Sequence, residues 1–154
     1  MKLILEKRNF PFFELSSFCD HLSRLIEEPY LFLLEGDLGT GKTSFVRAWV
    51  QTLIDKNSTA NVPENLVSSP TFTLHQEYKI KDKKIHHFDL YRLRSEEELE
   101  TTGFWDIFQQ PDSVIIEWPE RANWDGLLTM KKIYRLKFEM AEESTRSVKV
   151  YQIN

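Results

Sequence analysis

The chain has 154 residues, 41% hydrophobic and 29% charged, with 20 Lys+Arg against 24 Asp+Glu and a net charge of −4. That is enough material for one substantial core spanning residues 1–154, which excludes a disordered chain and two ordinary domains. No apolar run reaches the roughly 18–20 residues a bilayer requires, the single cysteine forbids an internal disulfide, and the acidic balance gives no global attraction to nucleic acid. A cytoplasmic protein with no membrane association and no direct nucleic-acid contact is expected.

Residues 2–8 are strand-like, and Ser16 or Ser17 is placed to cap a helix whose apolar positions Phe18, Leu22, Leu25 and Ile26 recur at helical spacing as far as Pro29. Tyr30 to Leu34 is an unbroken apolar run ending in Glu35-Gly36, the pattern of a strand buried on both faces. After the glycines, Phe45, Val46, Trp49, Val50, Leu53 and Ile54 form one face of a helix running to about Lys56. The stretch from Asn57 to Ser69 has no clear period and reads as one long loop.

Alternation resumes at Phe72, Leu74, Gln76, Tyr78 and Ile80, and Lys81 to Lys84 separates it from an extended segment, Ile85 to Tyr91, so a β-hairpin is predicted. Its lysines read as solubilising charges at the hairpin tip. Ser95 before three glutamates suits a capped helix start, and Gly103 suits its stop. Val114-Ile115-Ile116-Glu117 is a short buried strand ending on a carboxylate, and Ile133 to Met140 and Val148 to Ile153 close the chain as antiparallel strands. The expected class is α/β, with a mixed parallel and antiparallel central sheet flanked by helices.

Gly36-Asp37-Leu38-Gly39-Thr40-Gly41-Lys42-Thr43 matches the G-x-x-x-x-G-K-[ST] phosphate loop, with a strand before it and a helix after it. Chance yields roughly 0.002 such matches in a chain of this composition, so accident is a weak explanation. Glycines let the backbone close around a phosphate while the helix start, including Ser44, adds its dipole. Lys42 is the group to reach the β- and γ-phosphates of a nucleotide, and the Thr43 hydroxyl the group to hold a bridging Mg²⁺.

Such a site also needs a carboxylate at the end of a neighbouring buried strand. Glu117 is the strongest candidate, followed by Asp89 in His86-His87-Phe88-Asp89-Leu90-Tyr91-Arg92, which competes with an ion pair to Arg92. Pro70 stiffens the approach to Thr71, whose hydroxyl suits a switch-like contact to metal or γ-phosphate. His86 and His87 are adjacent on a strand and face opposite ways, which sets a zinc pair aside. Trp118-Pro119 stands where it can pack over a nucleotide or a partner.

Gly36 to Thr43, Ser69-Pro70-Thr71-Phe72, His87 to Leu93 and Ile116-Glu117-Trp118-Pro119-Glu120 together resemble the bacterial TsaE (formerly YjeE) family. The resemblance implies a P-loop ATPase with ATP and Mg²⁺ as cofactors, needed to make threonylcarbamoyladenosine in tRNA. It implies TsaD and TsaB as partners, reset by ATP hydrolysis between turnovers, with TsaC acting in the same pathway. Carried across, Lys42 contacts phosphate, Thr43 and Glu117 serve Mg²⁺, Asp89 and Thr71 belong to the catalytic shell, and Arg146 stands for a late basic residue near the base. The loop from Asn57 to Ser69 is longer than the family's usual connection. A small-molecule kinase is the competing class, but it calls for an arginine-rich lid, and the eight arginines here are scattered. A nucleotide-gated interaction module is the third class.

Overall fold

The computed structural model describes residues 1–57, 73–123, 131–142 and 144–154. Its elements run β1 (Lys2–Pro11), a 3-10 turn (Phe12–Glu14), α1 (Leu15–Leu22), β2 (Tyr30–Glu35), α2 (Lys42–Asn57), β3 (His75–Ile80), β4 (Lys83–Asp89), α3 (Glu96–Thr101), α4 (Phe104–Gln109), β5 (Ser113–Glu117), a second 3-10 turn (Pro119–Arg121), β6 (Lys132–Glu142) and β7 (Thr145–Gln152). Seven strands form one sheet in the order β1-β7-β6-β2-β5-β4-β3. β2 pairs parallel with both β5 and β6, and β5 pairs parallel with β4. β3 joins β4, and β7 joins β6 and β1, antiparallel. This is the expected mixed α/β arrangement, with helices on both faces of the sheet.

Alternation along the central strands sorts the core into two layers. Tyr30, Phe32 and Leu34 of β2 point to the side of α1 and α2, where Phe18, Phe45 and Trp49 meet them. Phe32 is the hub, its ring centroid 4.3 Å from Tyr30, 5.0 Å from Trp49 and 5.9 Å from Tyr134. The Trp49 indole N–H donates to the Tyr30 hydroxyl at 2.6 Å, so the polar tips of both rings are satisfied inside the core. Leu31 and Leu33, with Val114, Ile116 and Phe88, face the other way, against Leu99, Phe104 and Phe108 of α3 and α4. Cys19 is fully buried among the α1 residues, and burial pushes its thiol pKa well up.

Two local expectations are corrected. Helix α1 ends at Leu22 rather than near Pro29, and neither Ser16 nor Ser17 caps it. The 3-10 turn leads straight into α1, with Glu14 at the cap position, so both serines lie within the first helical turn. The hairpin turn is the two residues Lys81-Asp82, shorter than the four-residue tip expected, because Lys83 and Lys84 already pair with Ile80 and Lys79. Ser95 does cap α3, accepting from Glu98 N–H at 3.3 Å, while Glu98 reaches back to the Arg94 N–H at 2.8 Å. Gly103, with φ of 72°, separates α3 from a further short helix, α4, which the sequence pattern left unread. Among the described residues no helix is long and apolar enough to cross a membrane.

Candidate functional site

The C-terminal rim of the parallel strands is where open α/β sheets gather ligands, because loops leave the strands there and helices start there. The glycine loop follows β2 and runs into α2 at this rim. Gly36 has φ of 147°, and a side chain there would strike the Phe138 carbonyl of β6 and the Thr40 hydroxyl. Gly41 has φ of 102°, and a side chain there would overlap the Arg146 guanidinium. Gly36 therefore needs glycine for conformation and for space, and Gly41 for conformation, with the Arg146 side chain having to shift for anything larger. Thr40 braces the loop by donating its hydroxyl to the Asp37 carbonyl at 2.8 Å.

The Lys42 ammonium lies inside the loop and donates to the carbonyls of Gly36 and Asp37, at 2.5 and 2.9 Å. It sits 4.1 Å from the centroid of the Trp118 ring, within cation–π range, and the residue is only 4% exposed. Burial lowers its pKa, against the opposing pull of Glu117, Glu120, Asp89 and Asp37. Trp118 adopts a left-handed backbone with φ of 58°, uncommon for a bulky residue, and its N–H donates to the Leu34 carbonyl at 3.3 Å. This bond ties the end of β5 to the end of β2 and holds the indole against the lysine.

The Thr43 hydroxyl donates to the Glu117 carboxylate, 3.1 and 3.0 Å from its two oxygens. Glu117 is 2% exposed, and its Oε1 also accepts from His87 Nε2 at 2.8 Å. Asp89 ends the next strand opposite Glu117 in the register, is partly buried, and accepts the Tyr91 N–H on Oδ1 at 3.1 Å. A cavity of about 410 Å³ opens here, with Gly39, Lys42, Thr43, Asp89, Glu117 and Trp118 in its wall. Leu38 and Ser44 also border it, and Asp37 stands exposed at the loop tip.

Arg146 comes from β7, far along the chain, and is 3% exposed. Its guanidinium lies 3.0 Å from the Phe12 ring centroid, and its Nε and Nη1 have no hydrogen-bond partner among the described residues. Burial lowers its pKa. Buried, unmatched donors directly over the glycine loop are costly unless an acceptor arrives, so the residues present fit an anionic ligand in this cradle. Thr43 beside a buried carboxylate likewise fits a divalent cation shared with phosphate oxygens.

Thr71, with Ser68 to Phe72, lies outside the described residues, as does the predicted loop beyond Asn57. Sequence reasoning passed over His87 and Phe12 as parts of this site. Period-two alternation was a signal for the first, since His87 shares a strand face with Asp89. Phe12 had no signal, because only the pairing of Pro11 with Thr145 brings it to the rim.

A family model described as "Threonylcarbamoyl adenosine biosynthesis protein TsaE" matches residues 13–148, a span that takes in the loop, both carboxylates and Arg146. The chain is 42% identical over 96 residues to the tRNA threonylcarbamoyladenosine biosynthesis protein TsaE of Haemophilus influenzae, covering 62% of this chain and 56% of that protein. It is 32% identical over 133 residues to the protein of the same name from Aquifex aeolicus, covering 86% of this chain and 85% of that one. The crystal structure of YdiB from Bacillus subtilis superposes with a TM-score of 0.65 at 18% identity, over 100% of this chain and 89% of that one, which establishes a shared fold. With the family match running across nearly every element that builds the rim, the chain belongs to the TsaE family.

Proposed function

We propose that this protein is a Mg²⁺-dependent ATPase serving threonylcarbamoyladenosine formation in tRNA, with hydrolysis resetting a TsaD–TsaB transferase. The observation that carries the reading is the convergence of a glycine cradle, a buried lysine, a threonine–glutamate pair and an unmatched arginine on one rim. The names of the curated relatives support the pathway.

The loop from Gly36 to Ser44 receives the phosphates on its backbone N–H groups, and Lys42 exchanges the Gly36 and Asp37 carbonyls for phosphate oxygens. The arginine at 146 supplies N–H donors from β7. Thr43 and Glu117 would hold Mg²⁺, which would supply positive charge against the negative charge of the phosphates. Asp89, at the same rim level, and Thr71 complete the shell that orients the attacking water. The overall step is attack of water on the γ-phosphorus, giving ADP and inorganic phosphate. Among the described residues the cavity is open to solvent, and a docking partner that covers it would exclude water and raise the rate.

Steady-state phosphate release from Mg²⁺-ATP, measured with and without a TsaD–TsaB pair, tests the reading. Slow turnover alone and a rise with partner are expected. Lys42→Ala should lose nucleotide binding, and Glu117→Gln should keep ATP bound while turnover falls about 10²-fold or more. Wild-type turnover in both variants would overturn the site, and equal turnover at every partner concentration would overturn the coupling.

A further inference from the structure

Glu117 is held from behind as well as from the front. On the side of the sheet that faces α2, Tyr78 of β3, His87 of β4 and Glu117 of β5 form a diagonal across three neighbouring strands, His87 and Glu117 each two positions further along than the direct cross-strand partner of the residue before. The Tyr78 hydroxyl is 3.2 Å from His87 Nδ1, and His87 Nε2 is 2.8 Å from Glu117 Oε1. His87 is 0% exposed and Tyr78 5%, so water does not compete for these bonds. We propose that His87 is a positioning residue, its Nε2–H fixing the Glu117 carboxylate so that its remaining lone pairs face Thr43 and the metal, with Tyr78 setting the ring's tautomer.

The directions of the bonds follow from donor and acceptor capacity. An ionised carboxylate only accepts, so Nε2 must carry the hydrogen. With the imidazole in its neutral Nε2–H form, the lone pair is on Nδ1 and the Tyr78 hydroxyl donates to it. Burial and the charge of Glu117 hold the Tyr78 pKa up at about 12, which keeps that hydroxyl a donor. His86, one residue earlier, faces the opposite side toward His75 and Asp112, at 3.0 and 3.1 Å, and takes no part. The arrangement places one ladder of side chains between an outer strand of the sheet and the threonine at the start of α2. It is the relation that outer partners of metal-holding carboxylates have to their ligands, and losing such a partner costs 10- to 100-fold in metal affinity or activity.

The inference rests on the nucleotide reading above, and its test separates the two. Wild type, His87→Phe, His87→Gln and Tyr78→Phe are compared for ADP affinity by calorimetry without Mg²⁺, and for the Mg²⁺ concentration giving half-maximal ATP hydrolysis. The amide nitrogen of glutamine reaches about as far as Nε2, so His87→Gln restores the donor that His87→Phe removes. The expected result is Mg²⁺-free ADP affinity within about twofold throughout, with half-saturation by Mg²⁺ raised about tenfold or more in His87→Phe. It should move less than about threefold in His87→Gln, with Tyr78→Phe between the two. Nitrogen-15 spectra of wild-type imidazoles should show His87 as the Nε2–H tautomer, a readout independent of turnover and of whether His87→Phe folds. An Nδ1–H tautomer, a wild-type Mg²⁺ dependence in His87→Phe, or a matching loss of Mg²⁺-free affinity overturns the inference alone. Wild-type protein that binds no ADP overturns the nucleotide reading and this inference with it.

Discussion

The middle of the sheet and its margins are built on different terms. β2 and β5 are buried at nearly every residue and pair only with parallel neighbours, whereas β1, at one margin, fully buries Phe10 alone. The middle strands place the glycine loop and the two carboxylates at one level. The margins supply what a short strand end does not: Arg146 and Phe12 from one side, Tyr78 from the other. A rigid centre thus carries the groups that must keep their spacing, and the flanking strands send in single side chains.

The largest expected contrast is in stability. Phe32→Ala should cost about 3–5 kcal/mol, because the hub of the aromatic cluster leaves a cavity. Leu3→Ala, 46% exposed on β1, should change unfolding free energy by less than about 0.5 kcal/mol. Denaturant titration measures both, and equal costs would erase the distinction between centre and margin.

Gly41→Ala tests the contact between the two regions. Positive φ and collision with Arg146 should together cost about 1–3 kcal/mol and weaken nucleotide binding. Adding Arg146→Ala should recover the collision part and leave the backbone part, and strict additivity of the two changes would show that they do not touch.

Arg146→Met should sharpen the comparison in a third way, by separating stability from binding. Removing a buried guanidinium with unmatched donors should leave the melting temperature of the nucleotide-free protein unchanged or higher, while ADP affinity falls about tenfold. A lower melting temperature with unchanged affinity would make Arg146 a purely structural margin residue.

The smallest effect concerns pH at the β3 margin. Burial, reinforced by the neighbouring His86, lowers the His75 pKa to about 4. The unfolded chain then binds the proton more readily than the folded one, so stability present above pH 6.5 is lost as pH falls toward 4. Melting curves should show a shallower loss over that window in His75→Gln than in wild type. Identical slopes would remove His75 from the acid response.

The elements nearest the loop were the most legible in sequence. β2, α2 and β5 announce themselves through continuous apolar runs or one-sided periodicity, and their ends lie within a residue or two of the reading. α1 misled because Leu25 and Ile26 keep the helical spacing after the helix has stopped at Leu22, although Leu25 is 42% exposed. That the glycine loop, Lys42, Thr43, Asp89 and Glu117 come to one rim was legible, because spacing in one short motif and position at strand ends are local properties. The Phe12–Arg146 stack was not, since it depends on β1 finding β7 across more than a hundred residues.

One consequence of the strand order concerns synthesis rather than chemistry. The strand that presents the glycine loop is made early, at residues 30–35, yet its two ladder neighbours lie at 113–117 and 132–142. A nascent chain leaving the ribosome must carry that strand, apolar along nearly its whole length, with both edges open until most of the protein has emerged. Long-range parallel pairing is slow to form and open edges invite association, so this stretch of translation is where the chain is most in need of protection.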